Sequence, residues 1–105
     1  MAAPINPSDL ALFNGHYSHQ KKFPNIMGFE GSGVVVENGG GMMGWGLVGK
    51  KVAFAAQRED QGTYAQYIVV KSGECLPLSD DTSFEQGSMC LVNPLTVIGM
   101  LDMIK

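Results

Sequence analysis

The C-terminal segment from Pro94 to Ile104 constrains the fold of this 105-residue chain more than any other part of it. The segment is predicted to be a helix, and its apolar residues cover nearly the whole circumference. A helix that is apolar all round must be buried on all sides. Because the chain stops within this helix, little of it is left to provide that cover. We expect either that a second chain covers the helix, in a homo-oligomer or larger assembly, or that the natural protein continues. The apolar residues are Leu95, Val97, Ile98, Met100, Leu101, Met103 and Ile104.

The composition narrows the class of protein. Hydrophobic residues make up 45% and charged residues 16% of the sequence, which is ordinary for one soluble domain with a modest core. The formal net charge of −3 argues against nucleic acid as a partner, because phosphate binding needs a basic surface. No run of residues approaches the roughly 18 apolar residues of a membrane span, and no signal peptide is visible. We expect an intracellular, cytoplasmic protein, or a mitochondrial one if an N-terminal segment is missing.

The two cysteines, Cys75 and Cys90, give no sign of a metal site. They lack the close spacing of zinc-binding cysteines, and two isolated cysteines do not make a zinc site. A reduced compartment fits them best, with a single disulfide as the open alternative.

The pattern of residues predicts a mainly β chain with helices at the C-terminal end, an α+β fold. Ser8 is a plausible N-cap for a short first helix that Asn14 and Gly15 end. Ser83 and Gln86 have the spacing of a capping box before a later helix. The predicted helices are Asp9–Phe13, Phe84 to about Cys90, and Pro94–Ile104, and the predicted strands are Val34–Glu37, Val48–Ala55, Thr63–Lys71 and Glu74–Leu78.

Residues Gly39–Gly44 satisfy the pattern G-x-G-x-x-G of dinucleotide-binding loops. A binding loop of that kind must open a helix whose N-terminus holds the pyrophosphate. The next residues, Trp45–Gly49, are too rich in glycine for such a helix. We therefore expect a flexible loop between two strands and treat phosphate binding as the minor alternative.

Three further segments carry a resemblance to a known family. They are INPSDL at residues 5–10, GFEGSG at 28–33 and CLVNPLT at 90–96, and together they resemble the catalytic domain of the medium-chain dehydrogenase/reductase superfamily. In its zinc alcohol dehydrogenases, the positions of Asn6, Phe29 and Val92 carry Cys, His and Cys. Asparagine and phenylalanine are not usual zinc ligands, and valine cannot ligate at all. The resemblance therefore points to the zinc-independent quinone reductases and 2-enoyl thioester reductases, and no metal is expected.

The resemblance also implies roles for individual residues. In 2-enoyl thioester reductases, the tyrosine matching Tyr17 is thought to donate a proton at the α-carbon while hydride from NADPH adds at the β-carbon. Asn93 and Thr96 match residues that border the nicotinamide, and Asn6 is expected to contact the substrate. The alternatives are a half-buried loop tyrosine for Tyr17 and simple helix capping for Asn93 and Thr96. Glu30 lies beneath the metal position in the family, and without a metal we expect it to be structural.

The resemblance has consequences for domain organisation. Family members have a preceding segment that supplies the first strands and a following Rossmann domain that binds the cofactor, and both are missing from this chain. We expect residues 1–90 to be an incomplete GroES-like catalytic domain, with the motif at Gly62–Tyr67 as core β-structure. Residues 91–105 would begin the linker helix towards a missing cofactor-binding domain.

Two functions follow as expectations. The first is a catalytic-domain fragment, inactive alone, of an NAD(P)H-dependent oxidoreductase. This enzyme would reduce a small activated alkene, with 2-enoyl thioesters slightly favoured, or a quinone. The alternative is a non-catalytic structural or interaction subunit that associates through its apolar C-terminal helix.

Overall fold

The computed structural model describes residues 1–16, 24–56, 58 and 60–105. Within these residues, short helices precede, interrupt and follow a small antiparallel sheet, and a longer helix lies at the C-terminal end. The elements in chain order are α1 (Pro7–Phe13), β1 (Glu30–Val34), α2 (Met42–Trp45), β2 (Lys51–Ala55), a 3-10 turn (Ser72–Glu74), β3 (Cys75–Pro77), α3 (Phe84–Ser88) and α4 (Val92–Met103).

The three strands pair in the order β1-β2-β3, and both pairs are antiparallel. Glu30 lies opposite Ala55, and Phe54 lies opposite Cys75. Near the start of the chain, Ala2 forms a bridge to Ser32 on the other side of β1, with both backbone hydrogen bonds present at 3.2 and 2.8 Å. This bridge fixes the segment before α1 beside β1, which brings α1 close to the strand that carries Glu30.

The sheet buries residues on both faces. Val52 and Phe54 join Leu47 in the apolar core on one face, with Val35, Ile68, Val70 and Cys75 packed around them at partial burial. Ala53, which lies between Val52 and Phe54 on β2, points to the other face and is buried there, because side chains alternate along a strand. Helix α3 packs against β1 and β2, and a Cβ added to Gly87 would lie 2.3 Å from Leu78 Cδ1. A larger residue at this position would require the Leu78 side chain to move.

Helix α1 begins two residues earlier than predicted, at Pro7, and its N-cap is Asn6 rather than Ser8. Proline is favourable in the first turn of a helix because its missing N–H has no partner to lose there. Asp9, at the third helical position, accepts a hydrogen bond from the Asn6 backbone N–H at 2.8 Å. The predicted end of the helix is confirmed, with Asn14 as C-cap and Gly15 at φ +75°.

The first strand lies earlier than predicted, at Glu30–Val34 rather than Val34–Glu37. Glycine suits this strand because a Cβ on Gly31 would lie 3.0 Å from the Ala2 carbonyl oxygen. Strand β2 starts at Lys51, later than the predicted Val48, because Gly49 turns the chain with φ +81°. The predicted short strand at 74–78 is confirmed as Cys75–Pro77.

The predicted strand at Thr63–Lys71, together with the reading of Gly62–Tyr67 as core β-structure, is wrong for the part of the chain that the structure describes. The N–H groups of Thr63 and Tyr64 donate to the carbonyl oxygens of Gly28 and Met27, at 3.2 and 2.9 Å, instead of to a strand ladder. High β-propensity is realised only where a neighbouring strand supplies hydrogen bonds and packing. The described residues offer no such strand to this segment.

The helical end of the chain agrees with the sequence analysis more closely. Helix α3 has Ser83 as N-cap, with the predicted reciprocal hydrogen bonds to Gln86. Helix α4 starts at Val92, two residues before the predicted start, which places Pro94 within the first turn. None of the residues of α4 is buried, and Ile98, Leu101 and Met103 have exposed fractions of 60%, 54% and 88%. The described residues therefore leave this helix uncovered, and its cover by a second chain or by a continuation of the protein stays a prediction.

No helix among the described residues has the length and apolarity needed to cross a membrane.

Candidate functional site

Glu30 is the most deeply buried acidic residue near the motifs singled out in the sequence, with 2% of its surface exposed. It is the first residue of β1, and the turn before it is held on both sides. Gly28 has φ +100°, a conformation that favours glycine, and the Phe29 carbonyl oxygen accepts a hydrogen bond from the Ala56 N–H at 2.7 Å. The backbone on either side therefore fixes where the Glu30 side chain enters the interior.

Both oxygens of the Glu30 carboxylate accept hydrogen bonds from distant parts of the chain. Oε1 accepts from Asn6 Nδ2 at 2.7 Å, and Oε2 accepts from the backbone N–H of Val92 at 3.0 Å. Asn6 is the N-cap of α1, and Val92 is the first residue of α4. One carboxylate thus joins the starts of two helices to the start of a strand. We call the Asn6, Glu30 and Val92 arrangement the carboxylate junction.

A second buried carboxylate lies beside this junction. Asp9, with 4% of its surface exposed, accepts from the Asn6 N–H through Oδ2. Its Oδ1 is buried and has no hydrogen-bond partner among the described residues. Burial raises the pKa of Tyr64, and the negative charge of the neighbouring Asp9 carboxylate raises it further. The Tyr64 hydroxyl also donates to the Pro4 carbonyl oxygen at 2.9 Å, so the phenol is anchored in its neutral form.

The two residues expected at the cofactor lie in the first turns of α4. Asn93 directly follows Val92, and both Asn93 and Thr96 are exposed. The Thr96 hydroxyl donates to the Val92 carbonyl oxygen at 2.6 Å, a bond within the helix that Thr commonly makes. The carboxylate junction therefore holds the helical turn on which Asn93 and Thr96 stand.

Comparison with known proteins identifies the family of this chain. Residues 1–80 match the profile of the alcohol dehydrogenase GroES-like domain. The chain belongs to this family, within the medium-chain dehydrogenase/reductase superfamily.

Solved structures support the assignment. A crystal structure described as that of a candidate NADPH:quinone reductase from Mesorhizobium loti is similar to 96% of the chain, with 42% sequence identity and a TM-score of 0.87. A second candidate NADPH:quinone reductase, from Bacillus thuringiensis, matches 91% of the chain with 33% identity and a TM-score of 0.75. The chain covers 29% and 28% of these two proteins.

Curated relatives carry the names of enoyl reductases. The mitochondrial enoyl-[acyl-carrier-protein] reductases of Arabidopsis thaliana and Bos taurus are 31% and 32% identical to this GroES-like domain over 97% and 96% of its length. A trans-enoyl reductase of Aspergillus clavatus is 30% identical over 95% of it. The chain spans 26% to 29% of the length of these three proteins, so the activity of a whole relative does not transfer to it directly.

The residues of this GroES-like domain do not fit a catalytic zinc ion. Two of the three positions where zinc alcohol dehydrogenases carry ligands, Asn6 and Val92, meet at the carboxylate junction, and Phe29 precedes Glu30 in the chain. Val92 and Phe29 have no side-chain donor atom, and the Asn6 amide is hydrogen-bonded to Glu30. Among the described residues, no three or more His, Cys, Asp or Glu side chains cluster as metal ligands would.

The glycine-rich loop of this domain is not built as a dinucleotide site. It runs from β1 towards β2 as predicted, but it contains one helical turn, α2, where the sequence analysis expected no helix. The Asn38 side chain fixes the loop by accepting from the Gly40 N–H and donating to the Gly41 carbonyl oxygen, both at 3.1 Å. A single helical turn has too few aligned peptide groups for a substantial helix dipole.

Some residues of this site were predicted from the sequence and others were not. Asn6, Asn93 and Thr96 are brought close to one junction, whereas Tyr17 lies outside the described residues. The sequence allowed Glu30 to cap backbone amides, but it did not identify the N–H of Val92 as the partner, because a backbone N–H leaves no signature in the sequence. Asp9 was also missed. Its spacing three residues after Asn6 is that of a capping box, and this was the available signal.

Proposed function

We propose that this GroES-like domain supplies the substrate side of the active site in a zinc-independent, NAD(P)H-dependent reductase. The substrate would be an activated alkene, with 2-enoyl thioesters favoured, or a quinone. The observation that supports the proposal is the carboxylate junction, which contains two of the three residues that the resemblance matches to zinc ligands but offers no ligand set. The names of the relatives, enoyl reductases and NADPH:quinone reductases, support the same reaction class.

In this proposal the nicotinamide cofactor would supply hydride to the electron-poor carbon of the substrate. Asn93 and Thr96, on the exposed start of α4, would contact the cofactor, and Asn6 would contact the substrate. Tyr17 would donate the proton at the α-carbon of an enoyl thioester, because a neutral phenol is a hydrogen-bond donor at pH 7. The pyrophosphate would be held by a surface outside this chain, since the glycine-rich loop does not suit it.

The test is a hybrid protein in which the 105 residues replace the matching 29% of the Mesorhizobium loti protein. A second hybrid uses the Arabidopsis enoyl reductase as host, and both hosts are assayed alongside. If a host is active, we expect its hybrid to oxidise NADPH in the presence of a 2-enoyl thioester or a quinone, in at least one of the two cases. The isolated chain should not oxidise NADPH with either substrate. Folded hybrids that bind NADPH as their active hosts do, yet reduce neither substrate, would contradict the proposed function.

Tyr17 separates the two substrate classes in the same hybrids. Replacing it with phenylalanine removes the proton donor but keeps the ring. We expect turnover of the enoyl thioester to fall by about 100-fold, the usual contribution of a general acid, while quinone reduction changes little. Equal losses with both substrates would show that Tyr17 acts through folding, and no loss with the thioester would remove it from the mechanism.

A second candidate function is favoured by the exposed apolar surface of α4. Here the chain would be a structural or interaction subunit that binds another protein chain through this helix. Inactive hybrids together with a stable homo-oligomer of the isolated chain would support this alternative over the reductase. In the reductase, the location would be cytoplasmic or mitochondrial, the latter in line with the plant and bovine relatives.

A further inference from the structure

We propose that Glu30 is a positioning residue that couples the two sides of the candidate active site. It would hold Asn6 on the substrate side and the first turn of α4, with Asn93 and Thr96, on the cofactor side. The assignment of the two sides rests on the proposed function, whereas the mechanical coupling rests on the hydrogen bonds alone. A substitution at Asn6 should therefore change the protection of the start of α4, although Asn6 and Val92 are far apart in the sequence.

Helix α4 depends on Glu30 for its N-terminal cap. The residue at the N-cap position is Leu91, whose side chain has no acceptor, and no side-chain capping bond forms there. The Oε2 atom of Glu30 supplies an acceptor instead, at 3.0 Å from the Val92 N–H. A negative carboxylate is favourable at this end of a helix because the helix dipole is positive there. Since no residue of α4 is buried, apolar packing does not take over this role.

Asn6 is held as firmly on the other side of the carboxylate. It has 7% of its surface exposed, its backbone N–H is bound to Asp9, and its Nδ2 donates to Glu30 at 2.7 Å. The two groups that reach Glu30 are both N–H donors, so its two oxygens act as acceptors and neither needs a proton. Replacing the Asn6 amide group by a carboxylate would place a second negative charge against the buried Glu30 carboxylate.

The decisive variants exchange the amide and the carboxylate. Asn6→Asp places a second carboxylate against Glu30 and should break the junction. Glu30→Gln keeps the shape, and it keeps both hydrogen bonds if the Asn6 amide turns over, so its effect should be small. The double variant Asn6→Asp/Glu30→Gln restores one amide and one carboxylate, with the Val92 N–H still facing a carbonyl oxygen. Glu37→Gln, at an exposed position, is the matched control for loss of a carboxylate.

The first measurement is amide hydrogen exchange at Val92 by NMR in the isolated chain. We expect exchange at least about tenfold faster in Asn6→Asp than in the original chain, since one hydrogen bond to a charged group is lost. The double variant should recover most of that protection, and Glu37→Gln should not change it. Unchanged exchange in Asn6→Asp, or no recovery in the double variant, would overturn the coupling. If Asn6→Asp fails to fold, a folded double variant with a protected Val92 still supports it, and an unfolded double variant overturns it.

The second measurement is steady-state kinetics of the same variants in an active hybrid. Positioning of α4 predicts that Asn6→Asp raises the KM for NADPH as well as lowering kcat, and that the double variant reverses both. A role confined to stability would lower the melting temperature and leave the KM for NADPH unchanged below it. Inactive hybrids would overturn the proposed function while the exchange data decide the coupling. Active hybrids with an unaltered KM for NADPH in Asn6→Asp would overturn the positioning role alone.

Discussion

The start of β1 buries polar groups, whereas helix α4 exposes apolar ones. At the start of β1, Glu30 and Ser32 are almost fully buried, at 2% and 1% exposure, and each has hydrogen-bond partners. On α4 and at its C-cap, Leu101 and Ile104 are apolar and have exposed fractions of 54% and 81%. Burial of a polar group is stable only when its partners are in place, so the sheet region is determined from within the chain. The apolar surface of α4 has no such internal explanation.

This difference shows that the sequence specifies contacts within the chain in one region and an exposed apolar surface in the other. Around Glu30, the residues specify a local arrangement that the chain completes by itself. Along α4, apolar residues are exposed instead, and the predictions below test whether a second copy of the chain covers them. The carboxylate junction lies where the two regions meet, because Val92 belongs to α4 and Glu30 to β1. The predictions below test whether the two regions are as different as this contrast requires.

The largest effect is expected at Gly62, in the segment packed against the turn before β1. A Cβ at this position would lie 2.1 Å from the Ile26 carbonyl oxygen and 2.2 Å from that of Met27. These are backbone atoms, so the chain itself must shift to make room. We expect Gly62→Ala to lower the free energy of unfolding by about 3 kcal/mol, measured by urea denaturation.

Gly73→Ala is the control for Gly62→Ala, since a Cβ there would meet nothing within 4 Å. Its effect should stay within about 0.5 kcal/mol. Equal effects at the two glycines would show that the sheet region is not tightly packed, and the contrast with α4 would lose its basis.

The second prediction concerns the surface of α4. Replacing both Leu101 and Ile104 by Glu should weaken self-association, since each apolar side chain buried in an interface contributes roughly 1.5–3 kcal/mol. The dissociation constant should rise by about 100-fold or more in sedimentation experiments. The free energy of unfolding of the monomer should change little, because both side chains are already exposed.

Val36→Glu with Val69→Glu is the matched control for this pair, since the two valines have exposed fractions of 68% and 69% outside α4. Weakened association in the control would place the contact surface elsewhere on the domain. A chain that stays monomeric and well folded at high concentration would show that α4 does not mediate self-association.

The smallest effect is a pH dependence from Tyr64. Its pKa is raised, first by burial and then by Asp9, so the folded state favours the neutral phenol. The stability that this contributes is fully present below the pKa of the unfolded chain, near 10, and is lost as the pH rises through the higher folded-state value. Tyr64→Phe should flatten the fall in melting temperature between about pH 9 and pH 11. Tyr67→Phe is the control, because Tyr67 has an exposed fraction of 73%. The same fall in both variants would rule out Tyr64 as the cause.

Structural features that depend on neighbouring residues were predicted from the sequence better than features that depend on partners far away in the chain. The capping box at Ser83 and the turn at Gly15 are local and were placed correctly. The strand expected at 63–71 failed, because a strand needs a partner that the described residues do not provide. The resemblance picked out Asn6 and Val92 separately. Their meeting at Glu30 needed the folded structure, since a backbone N–H is common to nearly every residue.

The central claim is that contacts among the described residues hold the sheet region around Glu30, whereas such contacts leave the apolar surface of α4 exposed. Amide hydrogen exchange, followed residue by residue at two protein concentrations, tests it most directly. In the dilute monomer we predict strong protection at residues 52–54 of β2 and weak protection at residues 97–103 of α4, because exposed helices without packing open readily. At high concentration, protection at 97–103 should rise while that at 52–54 stays the same. Equal and concentration-independent protection in the two regions would contradict the claim.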